Sequence, residues 1–208
     1  MKSKNSENAI IIFQKNLIHG KVKTRLAATI GDQKAFEIYK DLVAFTYKQS
    51  IGVKDADIWV FFSDGFEEID EGFQEHITAK MVQDGDDLGQ RMQNAFATIF
   101  SMGYSNAVLM GTDCPEITPE TIETALDSLE KNEVVVGPAL DGGYYLIGMN
   151  NLYPQLFWQM PWSTENVFPL TLETIYQNNL SHYLLPVLSD IDTEEDWLKF
   201  ESLISENN

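Results

Sequence analysis

The sequence holds one cysteine, three histidines and two arginines in 208 residues, and no long apolar run. Each scarcity excludes something. A lone thiol, Cys114, rules out an internal disulfide framework, and with three scattered histidines it cannot supply zinc ligands at their usual spacing. Any metal is therefore expected to be hard and oxygen-bound. No stretch approaches the ~20 continuous apolar residues of a membrane span, and the opening MKSKNSENA lacks the apolar segment of a secretory signal. A soluble, cytoplasmic protein without a membrane span is expected. Positive charge is also scarce: 14 Lys and Arg stand against 32 Asp and Glu, a formal net charge of -18. Such a surface repels a phosphodiester backbone, so nucleic acid is not expected as a partner.

The positive charge that exists is concentrated. Lys15, Lys21, Lys23 and Arg25 fall within KNLIHGKVKTR, residues 15–25, directly behind the apolar run Ala9-Ile10-Ile11-Ile12-Phe13. The hydrophobic fraction of 44% suffices for one domain with a full core. Apolar runs alternate with stretches of helical spacing, which reads as α/β. Strands are predicted over 9–14, 57–62, 79–83, 106–111, 134–138, 144–149 and 183–188, and helices over 32–51, 88–102, 118–131, 165–179 and 194–205. Thr118-Pro119 and Thr193 with the acids after it are helix-start signals. The acidic stretch 64–75 reads as a solvated loop or a short helix. Only five residues separate strands 134–138 and 144–149, too few for a helical crossover, so the pair is expected to be antiparallel or to lie in different parts of a mixed sheet.

Open α/β sheets bind ligands at the carboxyl ends of their strands, and polar residues gather where strands should end. The basic loop 15–25 supplies cations for a diphosphate or triphosphate, with Gly20 giving backbone freedom, or it is a solvated turn; it is not a Walker A loop. In Gly111-Thr112-Asp113-Cys114-Pro115, Asp113 can hold Mg²⁺ or Mn²⁺ with substrate phosphates, or cap a turn. Cys114 has no histidine near it in sequence and reads as a small residue. Asp141-Gly142-Gly143 can admit a flat ligand close to the backbone, with Asp141 as a base or sugar contact, or form a plain hairpin turn. Asp190 and Asp192 alternate onto one side, and Asp192 can complete a metal site with Asp113 or serve the following helix. Arg91, the second arginine, opens a helix after Gln83-Asp84-Gly85-Asp86-Asp87. Trp162 can line an acceptor pocket or pack.

Taken in order, FQK…GKVKTRLA (13–27), QDGDDLGQRM (83–92), MGTDCPEITPE (110–120), VVVGPALDGGYYLIGM (134–149), PWST (161–164) and DIDTEEDW (190–197) resemble the bacterial nucleotide-diphospho-sugar transferase-like family. That family belongs to the GT-A glycosyltransferase superfamily and was long catalogued as a domain of unknown function. The likeness runs from about residue 9 to 200. One departure is Leu17, where the family usually has proline. The resemblance implies a GT-A fold: one three-layer α/β/α domain spanning 1–208 with a mixed, mainly parallel sheet. It implies Asp113 and Asp192 as ligands for Mg²⁺ or Mn²⁺, with Asp113 central to catalysis, and Lys15, Lys23 and Arg25 as phosphate contacts. Asp141 would be an acceptor-side catalytic group, with Arg91, Gly142 and Gly143 as further nucleotide-binding candidates. The implied activity is glycosyl transfer from a nucleotide-sugar to a small acceptor. Nucleotidylyl transfer with release of pyrophosphate and non-catalytic nucleotide binding are the alternatives. A serine hydrolase is disfavoured by the lack of G-x-S-x-G, and a Rossmann dehydrogenase by the lack of G-x-G-x-x-G.

Overall fold

In the computed structural model, which describes residues 6–207, the chain alternates strands and helices around one sheet. Its strands are β1 (Asn8–Gln14), β2 (Ala56–Phe62), β3 (Ile77–Val82), β4 (Asn106–Met110), β5 (Val134–Pro138), β6 (Tyr144–Met149) and β7 (His182–Leu184). The helices are α1 (Thr24–Ile30), α2 (Asp32–Ile51), α3 (Glu71–Gln74), α4 (Leu88–Ser101), α5 (Pro119–Ser128), α6 (Val167–Gln177) and α7 (Glu194–Asn207), with a 3₁₀ turn at Pro154–Leu156. The seven strands lie in the order β3-β2-β1-β4-β6-β5-β7. Pairing is parallel throughout except around β6, which runs against both β4 and β5. The fold is therefore the expected α/β domain with a mixed, mainly parallel sheet.

Strands with apolar residues on both sides belong inside such a sheet. Ala9, Ile10, Ile11 and Ile12 of β1 are wholly buried, and their alternation feeds two cores. Ile10 and Ile12 join Val60, Phe62, Val108 and Met110 against α2, α5 and α7; Ala9 and Ile11 join Trp59, Phe61, Ala107 and Leu109 against α4 and α6. β1 thus lies inside the sheet and feeds both layers.

The helix starts follow local chemistry. Thr118 Oγ1 accepts from Thr121 N–H at 3.2 Å with Pro119 in the first turn, and Asp87 caps α4 by accepting from Gln90 N–H at 2.8 Å. At α7 the exchange is reciprocal: Thr193 Oγ1 accepts from Asp196 N–H and Asp196 Oδ2 accepts from Thr193 N–H. Two expectations shift. The last strand, predicted over 183–188, ends at Leu184 because Pro186 has no N–H for the ladder; a single bridge from Ala139 to Leu188 resumes the pairing. Helix α1 was hidden by the basic residues around it and starts inside the predicted loop. No helix among the described residues is long and apolar enough to cross a membrane.

From β1 the chain winds outward through β2 and β3, then returns to place β4 on the other side of β1. The carboxyl ends of β1 and β4 therefore flank a switch point, where α/β sheets open a crevice. Being reversed, β6 begins at this same end, so the turn before it also reaches the crevice. The reversed strand is packed tightly: a Cβ on Gly148 would lie 2.7 Å from Cγ1 of both Val108 and Val135. Replacing Gly148 with Val should destabilise the protein by about 1–3 kcal/mol through overpacking; a lower urea midpoint at unchanged slope is the expected reading.

Candidate active site

The loop after β1 is held from below by Tyr39 of α2. Its hydroxyl donates to Lys15 O and accepts from Lys15 N–H, both at 3.0 Å, and also accepts from Thr112 Oγ1 at 3.2 Å. Burial, and then the charge of Asp113, push the Tyr39 phenol up, so it stays protonated and keeps donating. Further along, Lys23 caps α1 in the left-handed region, φ 47° and ψ 45°, a conformation that non-glycine residues rarely hold without tertiary support.

That support is visible at the side chain, which is only 5% exposed. Lys23 Nζ lies 2.6 Å from Asp113 Oδ1 and 3.6 Å from Asp192 Oδ1, and donates to Ile191 O at 2.6 Å. Arg25 Nη1 reaches Asp192 Oδ2 at 3.1 Å, and Ile191 N–H donates to Asp113 O at 3.0 Å. Three segments far apart in sequence are thereby tied at one ammonium. Asp190 stands beside them. Burial first, then the charges of Asp113 and Asp141, raise its carboxyl from 3.8 to about 7, against the opposing effect of Lys23.

These groups line a cavity of about 460 Å³ whose walls include Lys15, Lys21, Lys23, Arg25, Asp113, Asp141 and Asp192. An adjoining cavity of about 340 Å³ shares Lys15, Tyr39, Asp113, Asp141 and Asp192 and is closed by Phe13, Leu88, Met92, Tyr144 and Trp162. The cleft thus has a charged lobe and an apolar one. Lys15, Lys23, Arg25, Asp113, Asp141 and Asp192 come together as their positions predict, and Gly143 lines the apolar lobe. Gly142 and Arg91 do not line either cavity. Gly142, at φ +89°, packs against Glu165 so closely that a Cβ would lie 2.3 Å from the Glu165 carbonyl oxygen, and its own carbonyl accepts from Phe168 N–H at 2.8 Å. Arg91 Nε donates to Gly85 O at 3.1 Å and so fastens the loop before α4. Trp162 lines the apolar lobe and packs edge-on against Tyr144 at 6.4 Å. Burial pushes the Cys114 thiol well up, which leaves it an inert packing group.

Several wall residues had no role assigned from the sequence. Tyr39 sits in mid-helix with nothing local to mark it, and Ser163, Thr164 and Glu165 reach the charged lobe because the 161–166 loop folds back onto the Asp141 turn. Asp190 had a signal, its alternation with Asp192. Among the described residues no group of three or more His, Cys, Asp or Glu side chains is arranged to hold a metal ion; Asp113 and Asp192 converge on an ammonium instead.

The raised Asp190 has a measurable consequence. Its folded form binds a proton that the unfolded chain releases near pH 3.8, so its contribution to stability falls as pH rises from there and is lost once pH passes about 7. In metal-free buffer, Asp190→Asn should gain stability relative to the parent between pH 4 and 7 and hold a constant advantage above that. Parallel urea-midpoint profiles of the two proteins over this range would contradict the assignment.

No curated protein matches the chain in sequence. Among solved structures, a candidate nucleotide-diphospho-sugar transferase from Desulfovibrio desulfuricans G20 is 30% identical, covers 97% of this chain and 98% of its own, and superposes with a TM-score of 0.82. More distant likenesses show the fold. The inositol-1-phosphate CTP transferase of T. maritima is 15% identical, with 100% of this chain and 98% of that one covered and a TM-score of 0.56. The manganese complex of the Rv0371C protein of Mycobacterium tuberculosis H37Rv is 15% identical, with 94% and 98% covered and a TM-score of 0.54. Residues 46–164 match the model of the family described as "Uncharacterized protein conserved in bacteria (DUF2064)". With that match and the Desulfovibrio likeness across nearly its whole length, the chain belongs to this bacterial family and carries the nucleotide-diphospho-sugar transferase fold.

Proposed function

We propose that the protein is a transferase that moves a glycosyl group from a nucleotide-sugar to a small acceptor. The observation that carries the reading is the gathering of Lys15, Lys21, Lys23 and Arg25 with Asp113, Asp141 and Asp192 around one cavity at the sheet's switch point. In a chain of net charge -18, four cations around one cleft, with Lys15 and Lys21 exposed at its wall, equip it to hold an anion there. The diphosphate sits against the cationic loop, and the apolar lobe, with Trp162 and Tyr144 in its wall, receives the flat base. Asp141, oriented by accepting from Gly143 N–H at 2.8 Å, faces the transferred group.

In this reading the bond between the anomeric carbon and the diphosphate oxygen breaks as an acceptor hydroxyl adds to that carbon. Asp141 takes the hydroxyl proton, and Lys15 and Arg25 stabilise the charge that develops on the departing diphosphate. Asp113 and Asp192 are hard carboxylate donors of the kind Mg²⁺ prefers, and they would hold such an ion where they now share the Lys23 ammonium. Such an ion, when bound, supplies further neutralisation of the leaving group. The manganese complex of a protein with the same fold supports this ligand class.

Nucleotidylyl transfer is the second reading, favoured by the CTP transferase among the similar folds. Against it, the main-chain N–H groups of Lys15, Asn16 and Leu17 are bonded to Tyr39, Ser63 and Glu67, so the first loop presents cations rather than a backbone cradle for a triphosphate. The products decide: nucleoside diphosphate supports glycosyl transfer, and pyrophosphate would overturn it.

Binding is tested by thermal shift with nucleoside triphosphates, diphosphates and nucleotide-sugars, each with and without Mg²⁺ or Mn²⁺. A ligand at ~100 times its dissociation constant adds about 2.7 kcal/mol. The expected result is metal-enhanced stabilisation by nucleotide-sugars that disappears in Asp113→Asn, together with a loss of turnover on the order of 10²–10³ in that variant. Full activity of Asp113→Asn would remove Asp113 from the mechanism.

A further inference from the structure

The acidic loop between β2 and α3 reaches into the cleft's foundations. Glu67, in this loop, accepts the Leu17 N–H with both carboxylate oxygens, at 2.8 Å and 3.1 Å. Gln14 Nε2 approaches the same carboxylate at 3.5 Å, and the Tyr47 hydroxyl donates to Gln14 Oε1, so the contact has a second layer of support. From the other side, Lys80 of β3 donates to Glu67 O at 3.2 Å. Next to Leu17, Ile18 N–H donates to Asn16 O at 2.8 Å, and Leu17 keeps a negative φ. A three-residue turn closed in this way with negative φ at its centre is an inverse γ-turn, with φ near about -75°.

We propose that Glu67 is a positioning residue for the anion-binding loop: its carboxylate holds the turn at Asn16–Leu17–Ile18 and thereby fixes the direction in which Lys15 enters the cleft. Lys15 is the cation that lines both the charged and the apolar lobe, so its placement bears on how an anionic ligand spans them. Its backbone is fixed on one side by Tyr39 and on the other by this turn. Glu67 lines neither cavity and acts through the backbone. The inference rests on the proposed phosphate-binding role of Lys15.

Electrostatics and positioning predict opposite signs here. Removing a negative charge from beside a cationic loop would by itself strengthen anion binding. Loosening the turn weakens it. The probe is inorganic pyrophosphate, titrated calorimetrically into the full chain. Glu67→Ala should bind it about tenfold more weakly, the size of one lost charge-assisted hydrogen bond. Hydrogen exchange at the Leu17 amide, slow in the parent, should become fast in this variant.

Proline supplies a rescue, because its fixed φ of about -65° suits the turn and it has no N–H for Glu67 to hold. The double variant Leu17→Pro with Glu67→Ala should return to within about threefold of the parent affinity, since the ring restores by covalent restraint what the carboxylate gave. Weakened binding without rescue, or binding in Glu67→Ala as tight as the parent or tighter, would overturn the positioning role. If Glu67→Ala does not fold, Glu67→Gln keeps one acceptor oxygen and reads the same effect with a smaller loss. Lys15→Ala separates the two proposals: if it leaves pyrophosphate affinity unchanged, or if the parent does not bind the probe, the site reading fails and takes this inference with it. If Lys15→Ala weakens binding and Glu67→Ala does not, only the positioning role falls.

Discussion

The ammonium of Lys23 is the contact on which the cleft depends. It joins the first loop to the end of β4 through Asp113 and to the segment before α7 through Ile191 and Asp192. A lysine whose side chain is 5% exposed requires compensation for its charge, and it has two carboxylates and a carbonyl. Asp113 and Asp192 remain 42% and 41% exposed, so the arrangement is half solvated and yields less stability than a dry ion pair. Its value is geometric. The left-handed backbone of Lys23 persists because the side chain is anchored at its far end, and α1 begins where that anchoring places it.

The sheet explains why such remote residues can meet. Parallel strands bring their carboxyl ends to one edge, which accounts for Lys15 after β1 and Asp113 after β4. A wholly parallel sheet would leave the entrance of the next strand at the opposite edge. Because β6 is reversed, the Asp141–Gly143 turn that feeds it arrives at the binding edge, and Gly142 lets that turn press against Glu165. The single antiparallel strand therefore brings the Asp141 turn and, through Glu165, the 161–166 loop to a crevice that parallel strands alone would leave open on one side.

Much of this was legible in the sequence. Six of the seven strands, five to seven residues long, follow from apolar runs, because buried strands must be apolar on both faces; β7, three residues at the sheet edge and largely exposed, shares only Tyr183 and Leu184 with its predicted span. The convergence of Lys15, Arg25, Asp113, Asp141 and Asp192 follows from their places at strand ends and from the order of the motifs. What was not legible depends on tertiary placement. Helix α1 has no capping side chain and starts at a lysine held by long-range contacts, so propensity could not find it. Tyr39 and Glu67 act through hydrogen bonds spanning 24 and 50 residues, and nothing local announces them. Arg91 and Gly142 belong to the right segments, yet their groups face the protein, because the loops that present a site must themselves be fastened.

The acidic composition and the anionic ligand proposed for the cleft are compatible for a structural reason. Three acids beside the basic loop are engaged with its cations or its backbone. Asp113 and Asp192 meet Lys23, Asp192 meets Arg25, and Glu67 holds the Leu17 N–H. The four cations are accordingly not equivalent. Lys23 is buried and committed to the fold. Lys15 and Lys21 are exposed at the cavity wall, and Arg25, whose side chain is 72% exposed, shares only one nitrogen with Asp192. A phosphate entering the cleft would therefore meet Lys15, Lys21 and Arg25 first, and the price of engaging Lys23 is the tie that holds Asp113 and Asp192 together. The sequence marks these four residues alike; burial separates Lys23, which builds the site, from the three exposed cations at its wall.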